Sequence, residues 1–253
     1  MSEFSSPRHL PWEATYNVRD LGGHPTADGS TTRHGVFVRS DDLCNIGPVG
    51  QQQLIEYGIR TVVDLRTPKE WAHRPHPFAD GMHGVAYHPI SLMDPADMDA
   101  KLRLDSIRRN GEMYMIFFER FGGQIGNVMR TLAEAGPGGV LFHCFAGKDR
   151  TGVTAALLLE NAGVPRPIVA LDYAETERYS EPINAEWAKH IAHLPDEVER
   201  ARPLMLSPAA AMAEALDYLD AEHGGVRTYL MQNGVGEAAL DRLRARLLAD
   251  AAE

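Results

Sequence analysis

The chain has 253 residues, 44% hydrophobic and 24% charged, with 25 Lys and Arg against 35 Asp and Glu for a formal net charge of −10. These are ordinary globular proportions and exclude a disordered or fibrous chain. The negative balance argues against a nucleic-acid backbone or an anionic membrane as a standing partner, while a local positive pocket can still take an anionic substrate. The chain has two cysteines, Cys44 and Cys144, and no apolar run of signal or membrane-spanning length. The expectation is a reducing, cytoplasmic setting without membrane insertion, compatible also with signal-less secretion.

In chain order, residues 1–14 read as an N-terminal arm. Asn17-Val18-Arg19-Asp20-Leu21-Gly22-Gly23 then reads as a turn, with Asn and Asp bonding nearby backbone and the glycines allowing tight dihedrals. Residues 35–40 form a strand, and 51–57 a short helix stopped by Gly58. Residues 59–65 are a second strand, apolar enough to lie centrally in a parallel sheet. Asp64 and Arg66 stand at its C-terminal end, where ligands gather in α/β sheets. The alternative is that they pair locally and cap the short helix over 68–71. His73-Arg74-Pro75-His76-Pro77 holds two prolines and no carboxylate or Cys at ligand spacing, so it reads as a solvated loop and no metal is expected.

A third strand spans 84–90. It is followed by the acidic loop Ser91-Leu92-Met93-Asp94-Pro95-Ala96-Asp97-Met98-Asp99. Residues 97–135 read as mostly helical, interrupted at Asn110-Gly111 and Gly122-Gly123. Tyr114, Ile116, Phe117, Phe118 and Phe121 fall at core spacing.

The organising stretch comes next. After Gly136-Pro137-Gly138-Gly139, the run Val140-Leu141-Phe142 reads as a buried strand, and from Thr151 to Asn161 apolar residues recur at helical spacing. Cys144 therefore sits where a strand ends, and Arg150 sits six residues later in the first turn of a helix. The loop amides of Phe145, Ala146, Gly147, Lys148 and Asp149 can converge beside the sulfur, and the helix adds its positive end. Arg150 offers a planar fork for two phosphate oxygens. That field favours a thiolate facing a bound tetrahedral anion, which is the arrangement for attack on phosphorus. Gly147-Lys148 is followed by Asp149, where a nucleotide-binding loop would need Ser or Thr for magnesium, so that reading is rejected.

Helices over 165–173 and onward through Trp187 to 193, over 209–219, 226–233 and 237–248 complete the chain. Leu240, Leu243, Leu247 and Leu248 form one docking face. No repeat or linker is apparent, and residues 1–253 read as one domain.

His143-Cys144-Phe145-Ala146-Gly147-Lys148-Asp149-Arg150-Thr151-Gly152 resembles the signature of bacterial tyrosine/dual-specificity phosphatases with a Lys-Asp-Arg loop, some of which also take phosphoinositides. Asn17 to Gly23 and Val62-Val63-Asp64-Leu65-Arg66 resemble two further blocks of that family. The resemblance implies an α/β fold with a central, mostly parallel sheet flanked by helices, and extra C-terminal helices over about 165–205 acting as a lid. It implies hydrolysis of phosphomonoesters through a phosphocysteine, without cofactor or metal, on a phosphorylated protein or a phosphoinositide seated by its phosphate. It places Asn17, Arg19 and Asp20 near the site, and the general acid just after the third strand. There Asp94, Asp97 and Asp99 compete, with Asp94 the first choice and helix capping its structural alternative.

In this scheme His143 packs behind the loop and tunes the thiolate, Thr151 donates to the departing sulfur, and Lys148 reads extra phosphates. Asp149 orients Arg150 or a substrate hydroxyl. A non-catalytic phosphate-binding module and a sulfur-transfer or oxyanion-reducing enzyme are the competing classes.

Overall fold

The computed structural model describes residues 8–81, 84–191, 199 and 202–248. Its five-stranded sheet has strands β1 (Arg19–Asp20), β2 (Phe37–Ser40), β3 (Ile59–Asp64), β4 (Ala86–Pro89) and β5 (Gly139–His143), in the order β1-β2-β5-β3-β4. Only the β1–β2 pair is antiparallel. β5 is central, as its unbroken apolar run requires: all five of its residues are buried. The strands keep period two. Phe37, Val63, Val140 and Phe142 face one core cluster, whereas Val38, Val62 and Leu141 face the other. Each such fully buried side chain contributes on the order of 1.5–3 kcal/mol.

The larger cluster is roofed by helices α4 (Asn110–Arg120), α5 (Gly122–Glu134), α6 (Asp149–Asn161), α9 (Ala209–His223), α10 (Val226–Gln232) and α11 (Glu237–Leu247). The smaller packs under α1 (Pro48–Glu56) and Trp12. The remaining helices are α2 (Pro68–His73), α3 (Met98–Ser106), α7 (Arg166–Ala174) and α8 (Glu181–Ile191), with a 3-10 turn over Glu175–Arg178 between the last two. Among the described residues no helix is long and apolar enough to cross a membrane. Of the expected lid over 165–205, residues 192–198, 200 and 201 lie outside the described residues, as do residues 1–7 of the expected arm.

Two expectations are corrected. Asn110 and Gly111 do not interrupt a helix; they begin α4, and the break falls at 107–109. A Cβ on Gly111 would stand at an ordinary 3.5 Å from the Ala211 carbonyl and meet closely only the end of the Glu214 side chain, at 2.8 Å. Arg19–Asp20 is a strand as well as part of a turn. The described part of the arm is tied to the body: Arg8 pairs with Asp172 at 2.6 Å and also with Glu175.

Register sets the site. Ser40, His143, Asp64 and Pro89 align in one row across the sheet. The residues that follow each of them therefore emerge side by side at the carboxyl ends of four parallel strands.

Candidate active site

β5 delivers Cys144, 2% exposed, and the chain turns through 145–148 into α6. The loop is held by its carbonyls. The His143 oxygen accepts from the Leu65 N–H (2.8 Å), that of Phe145 from the Asp42 N–H (2.9 Å) and that of Lys148 from the Gly152 N–H (2.7 Å). The Cys144 oxygen accepts from His143 Nδ1 (3.0 Å). Asn17 Nδ2 donates to the carbonyls of Ala146 (3.0 Å) and Gly147 (3.3 Å), and Arg39 Nη2 donates to Gly147 (2.8 Å). With every carbonyl from His143 to Lys148 turned back into the body, the N–H groups from Phe145 to Arg150 meet no acceptor among the described residues. That is an anion-binding concavity at the start of a 13-residue helix. Gly147 is required there. Its φ is +65°, and a Cβ would lie 2.7 Å from Ser40 and Asp41 backbone atoms.

Arg150 is clamped end-on by Glu70: Nη1 donates to Oε2 at 2.7 Å and Nη2 to Oε1 at 2.9 Å. This leaves its Nε–H and one N–H on each Nη free. Glu70 is also the third residue of α2, where it completes a capping box with Thr67. Burial pushes its carboxyl up, but the Arg150 guanidinium and the Thr67 donors hold it at about 2.

Behind the loop lies a buried charge cluster. Arg39 Nη1 pairs with Asp172 at 2.7 Å, and Arg19 donates to the Asp172 carbonyl (3.0 Å), to Thr176 Oγ1 (3.1 Å) and to Asn17 Oδ1. Arg19, Arg39 and Asp172 are each at most 2% exposed. Burial and the neighbouring charge of Arg39 lower Arg19 to about 9. Asp172 stays well below the usual carboxylate range: burial opposes this, but the His24 hydrogen bond and three arginines outweigh it. Asp41 accepts from the Tyr16 and Asn17 N–H groups, and burial raises it to about 6.

Asp64 and Arg66 do pair. Arg66 Nε and Nη2 donate to the Asp64 carboxylate at 2.6–3.1 Å, and Tyr87 Oη adds a bond of 2.8 Å. They do not cap α2, whose cap is Thr67. His143 is buried with Nε2 3.6 Å from Asp64 Oδ1, and burial lowers its basicity. Because Nδ1 donates to a carbonyl, the neutral ring is assigned its proton there.

His76 is not in a solvated loop, which corrects that expectation. It is 5% exposed, stacks on Tyr87 and lies 5.0 Å from the His143 ring. The flanking prolines mark a turn that folds inward. Asp64, His76 and His143 bring ligand atoms within 4.8 Å of one another. Both Asp64 oxygens, however, are already bonded to the Arg66 guanidinium, a fixed cation where a metal would need a free carboxylate.

The remaining candidates separate. Asp20 is occupied away from the loop, by Gly22, Gly35 and Tyr57. Lys148 is 4% exposed, and its Nζ donates to the carbonyls of Leu204 and Leu206 (the latter at 3.2 Å), so it points neither to solvent nor along the loop amides. Asp149 accepts from Tyr114 Oη at 2.8 Å. Thr151 Oγ1 is buried without a partner among the described residues.

In the loop after β4, Asp97 caps α3 through the Ala100 N–H (2.9 Å) and takes two bonds from Arg120, which hold its carboxyl below the ordinary range. Asp99 lies 3.7 Å from Arg120. Asp94 is exposed, and among the described residues its carboxylate accepts only from the Ala96 N–H of its own turn.

Arg39, Glu70, Asp172 and Tyr114 were not legible as site residues. Arg39 had one signal, a charge inside an apolar strand, and Glu70 had one in Thr67-Pro68-Lys69-Glu70, a helix-start pattern.

The tyrosine phosphatase family model matches residues 10–249. A tyrosine-protein phosphatase of Nostoc commune is 34% identical, across 83% of this chain and 74% of its own length. The triple specificity protein phosphatase PtpB of Mycobacterium tuberculosis is 31% identical, across 95% of this chain and 99% of its own length.

Proposed function

The chain belongs to the tyrosine phosphatase family and is a protein-tyrosine phosphatase; from that premise we propose that its phosphomonoester cleavage runs through Cys144, Arg150 and Asp94. The observation that carries this reading is the loop itself: six carbonyls tied back, the amides from Phe145 to Arg150 left without an acceptor among the described residues, and the Arg150 guanidinium clamped by Glu70 at the start of the same helix.

Cys144 Sγ attacks phosphorus while the phosphorus–oxygen bond to the alcohol breaks. Arg150 and the amides from Phe145 to Arg150 hold the equatorial oxygens, more strongly as charge spreads over them in the transition state. Asp94 gives its proton to the leaving oxygen. Of the three competing carboxyls it is the one without an arginine partner among the described residues, whereas Asp97, held ionised by Arg120, is a poor donor. Water then cleaves the phosphocysteine, the same carboxylate takes its proton, and the unpartnered Thr151 hydroxyl donates to the departing thiolate. Asn17, Arg19, Asp64, Arg66 and His143 are positioning residues.

Cys44 does not suit a resolving role. Its Sγ is bonded to Arg66 and to the Arg74 carbonyl, and burial pushes the thiol up to about 12.

Phosphotyrosine is the substrate we propose first. Phosphoserine, phosphothreonine and phosphoinositides form the second reading, and the last requires Lys148 to leave the Leu204 and Leu206 carbonyls to meet a second phosphate. We read the whole chain as the working unit, because one core cluster runs from Leu21 to Leu247.

The test is Cys144→Ser. Turnover of an aryl phosphate is expected to fall at least ~10⁴-fold while phosphate or vanadate still binds. Turnover that survives overturns the nucleophile assignment.

A further inference from the structure

Beside the loop lies a cavity of about 200 Å³ that the chemistry above does not use. Phe145 of the loop forms one wall, with Lys69, Glu70, His73 and Arg74 among the others. Two of these residues belong to the active site as well: Phe145 carries one of the amides, and Glu70 clamps Arg150. The cavity therefore begins where the phosphate seat ends.

Its charges do not cancel. Glu70 is matched by Arg150, and Arg74, whose guanidinium lies 5.8 Å over the Phe145 ring, is matched by Asp42 at 3.2 Å. Lys69 and His73 stand one turn apart on α2, exposed, and neither has a hydrogen bond or ion pair among the described residues. The rim thus keeps one unmatched ammonium and one imidazole donor, in a chain whose net charge is −10.

We propose that this cavity receives the acidic side chain, Asp or Glu, that neighbours the phosphotyrosine in a phosphorylated peptide. The carboxylate lies on Lys69 and His73, and its methylenes lie on the Phe145 ring. The inference rests on the phosphotyrosine reading given above. Three features select a carboxylate on a side chain over a second phosphate on a lipid headgroup. The volume is below that of ordinary small-molecule sites and suits one side chain. One unmatched positive charge balances one carboxylate. The two arginines that also line it, Arg66 and Arg74, are already matched by Asp64 and Asp42, and Phe145 supplies an aromatic ring, so the lining lacks the several free cations that a second phosphate would need.

The experiment compares kcat/KM of the full chain on two phosphotyrosine peptides that differ only in Glu or Gln beside the phosphotyrosine. The pair is run with the substitution on either side, at low and high salt. The Glu peptide is expected to be preferred about 3–10-fold at low salt, and less at high salt, as for exposed charges. Lys69→Ala removes most of that ratio and Lys69→Glu reverses it, while His73→Ala lowers it by less. Reversal of a ratio is a charge effect that general damage to the fold does not produce.

Equal kcat/KM on both wild-type peptides, or a ratio untouched by Lys69→Glu, overturns the proposal while leaving the phosphotyrosine reading intact. If neither peptide is turned over but a short-chain phosphoinositide is, the phosphotyrosine reading fails first. If phosphoinositide turnover alone responds to Lys69→Glu, the pocket belongs to a lipid headgroup and the peptide assignment falls.

Discussion

The loop after β5 and the loop after β4 leave the same end of the same sheet, yet they are held in opposite ways. In the first, the amides of Leu65 and Asp42 just beyond two strand ends, the helix amide of Gly152 and the side chains of Asn17, Arg39 and His143 secure successive carbonyls, and Cys144 is 2% exposed. In the second, Leu92 is buried and its N–H reaches the Leu65 carbonyl at 3.3 Å, but Asp94 is exposed and bonded only within its own turn. In the proposed reaction the groups that would stabilise negative charge are fixed in advance, while the carboxyl proposed to deliver the proton sits on a surface loop. This is the division expected when donors must be pre-oriented at a developing charge, whereas an acid has to meet leaving groups of different size.

That contrast breaks most sharply at the acid. Asp94→Asn is expected to lower kcat by roughly 10²–10⁴ on a phosphate ester with a poor leaving group, and by much less on a nitrophenyl ester that leaves without a proton. Asp97→Asn, which loosens the α3 cap and the Arg120 pair, is expected to lower stability while leaving the dependence on leaving group intact. Interchanged results would move the acid to Asp97.

The rigid side is probed through Asp172, which touches no loop atom itself. It carries Arg39 and Arg8 on its two oxygens, and Arg19 on its carbonyl. Asp172→Asn removes the single buried anion among these cations and is expected to cost about 3–5 kcal/mol in denaturant unfolding. What activity remains should show a raised KM, because Arg39 loses the partner that aims it at Gly147. An unchanged unfolding midpoint would mean that the cluster does not hold the loop.

The same two loops differ in how far their sequence reveals them. Strand, turn and helix around Cys144 follow from neighbours: an apolar run, glycines, then helical periodicity, all within 25 residues of chain. The groups that aim the loop follow from topology instead. Asp172 lies 133 residues from Arg39, and Asn17 lies 129 from Ala146, so no local pattern connects them. Lys148 shows the limit even at close range. Its position in the signature was plain, but its direction depends on Leu204 and Leu206, residues that return over the loop only in the fold. His76 failed for the opposite reason: its flanking prolines gave a strong local signal for a loop, and tertiary packing against Tyr87 and His143 buried it.

Glu70 lies between the two kinds of anchoring and carries the smallest expected effect. Its carboxylate is depressed from 4.5 to about 2, since the Arg150 and Thr67 donors outweigh burial. A depressed carboxyl contributes stability that is fully present above about pH 4.5 and is lost as the pH falls toward 2. With 31% of the side chain exposed, solvent screening limits that contribution to about 1 kcal/mol. Glu70→Gln keeps the shape and one acceptor but loses the charge and half of the clamp. The expected outcome is a loss of about 10-fold in kcat/KM at neutral pH, shared by all substrates because Arg150 meets the phosphate that they have in common. Urea midpoints of the two proteins should differ at pH 7 and converge between pH 4.5 and 2. A gap that persisted at the low end would mean that Glu70 acts on α2 through its capping box rather than on Arg150 through its charge.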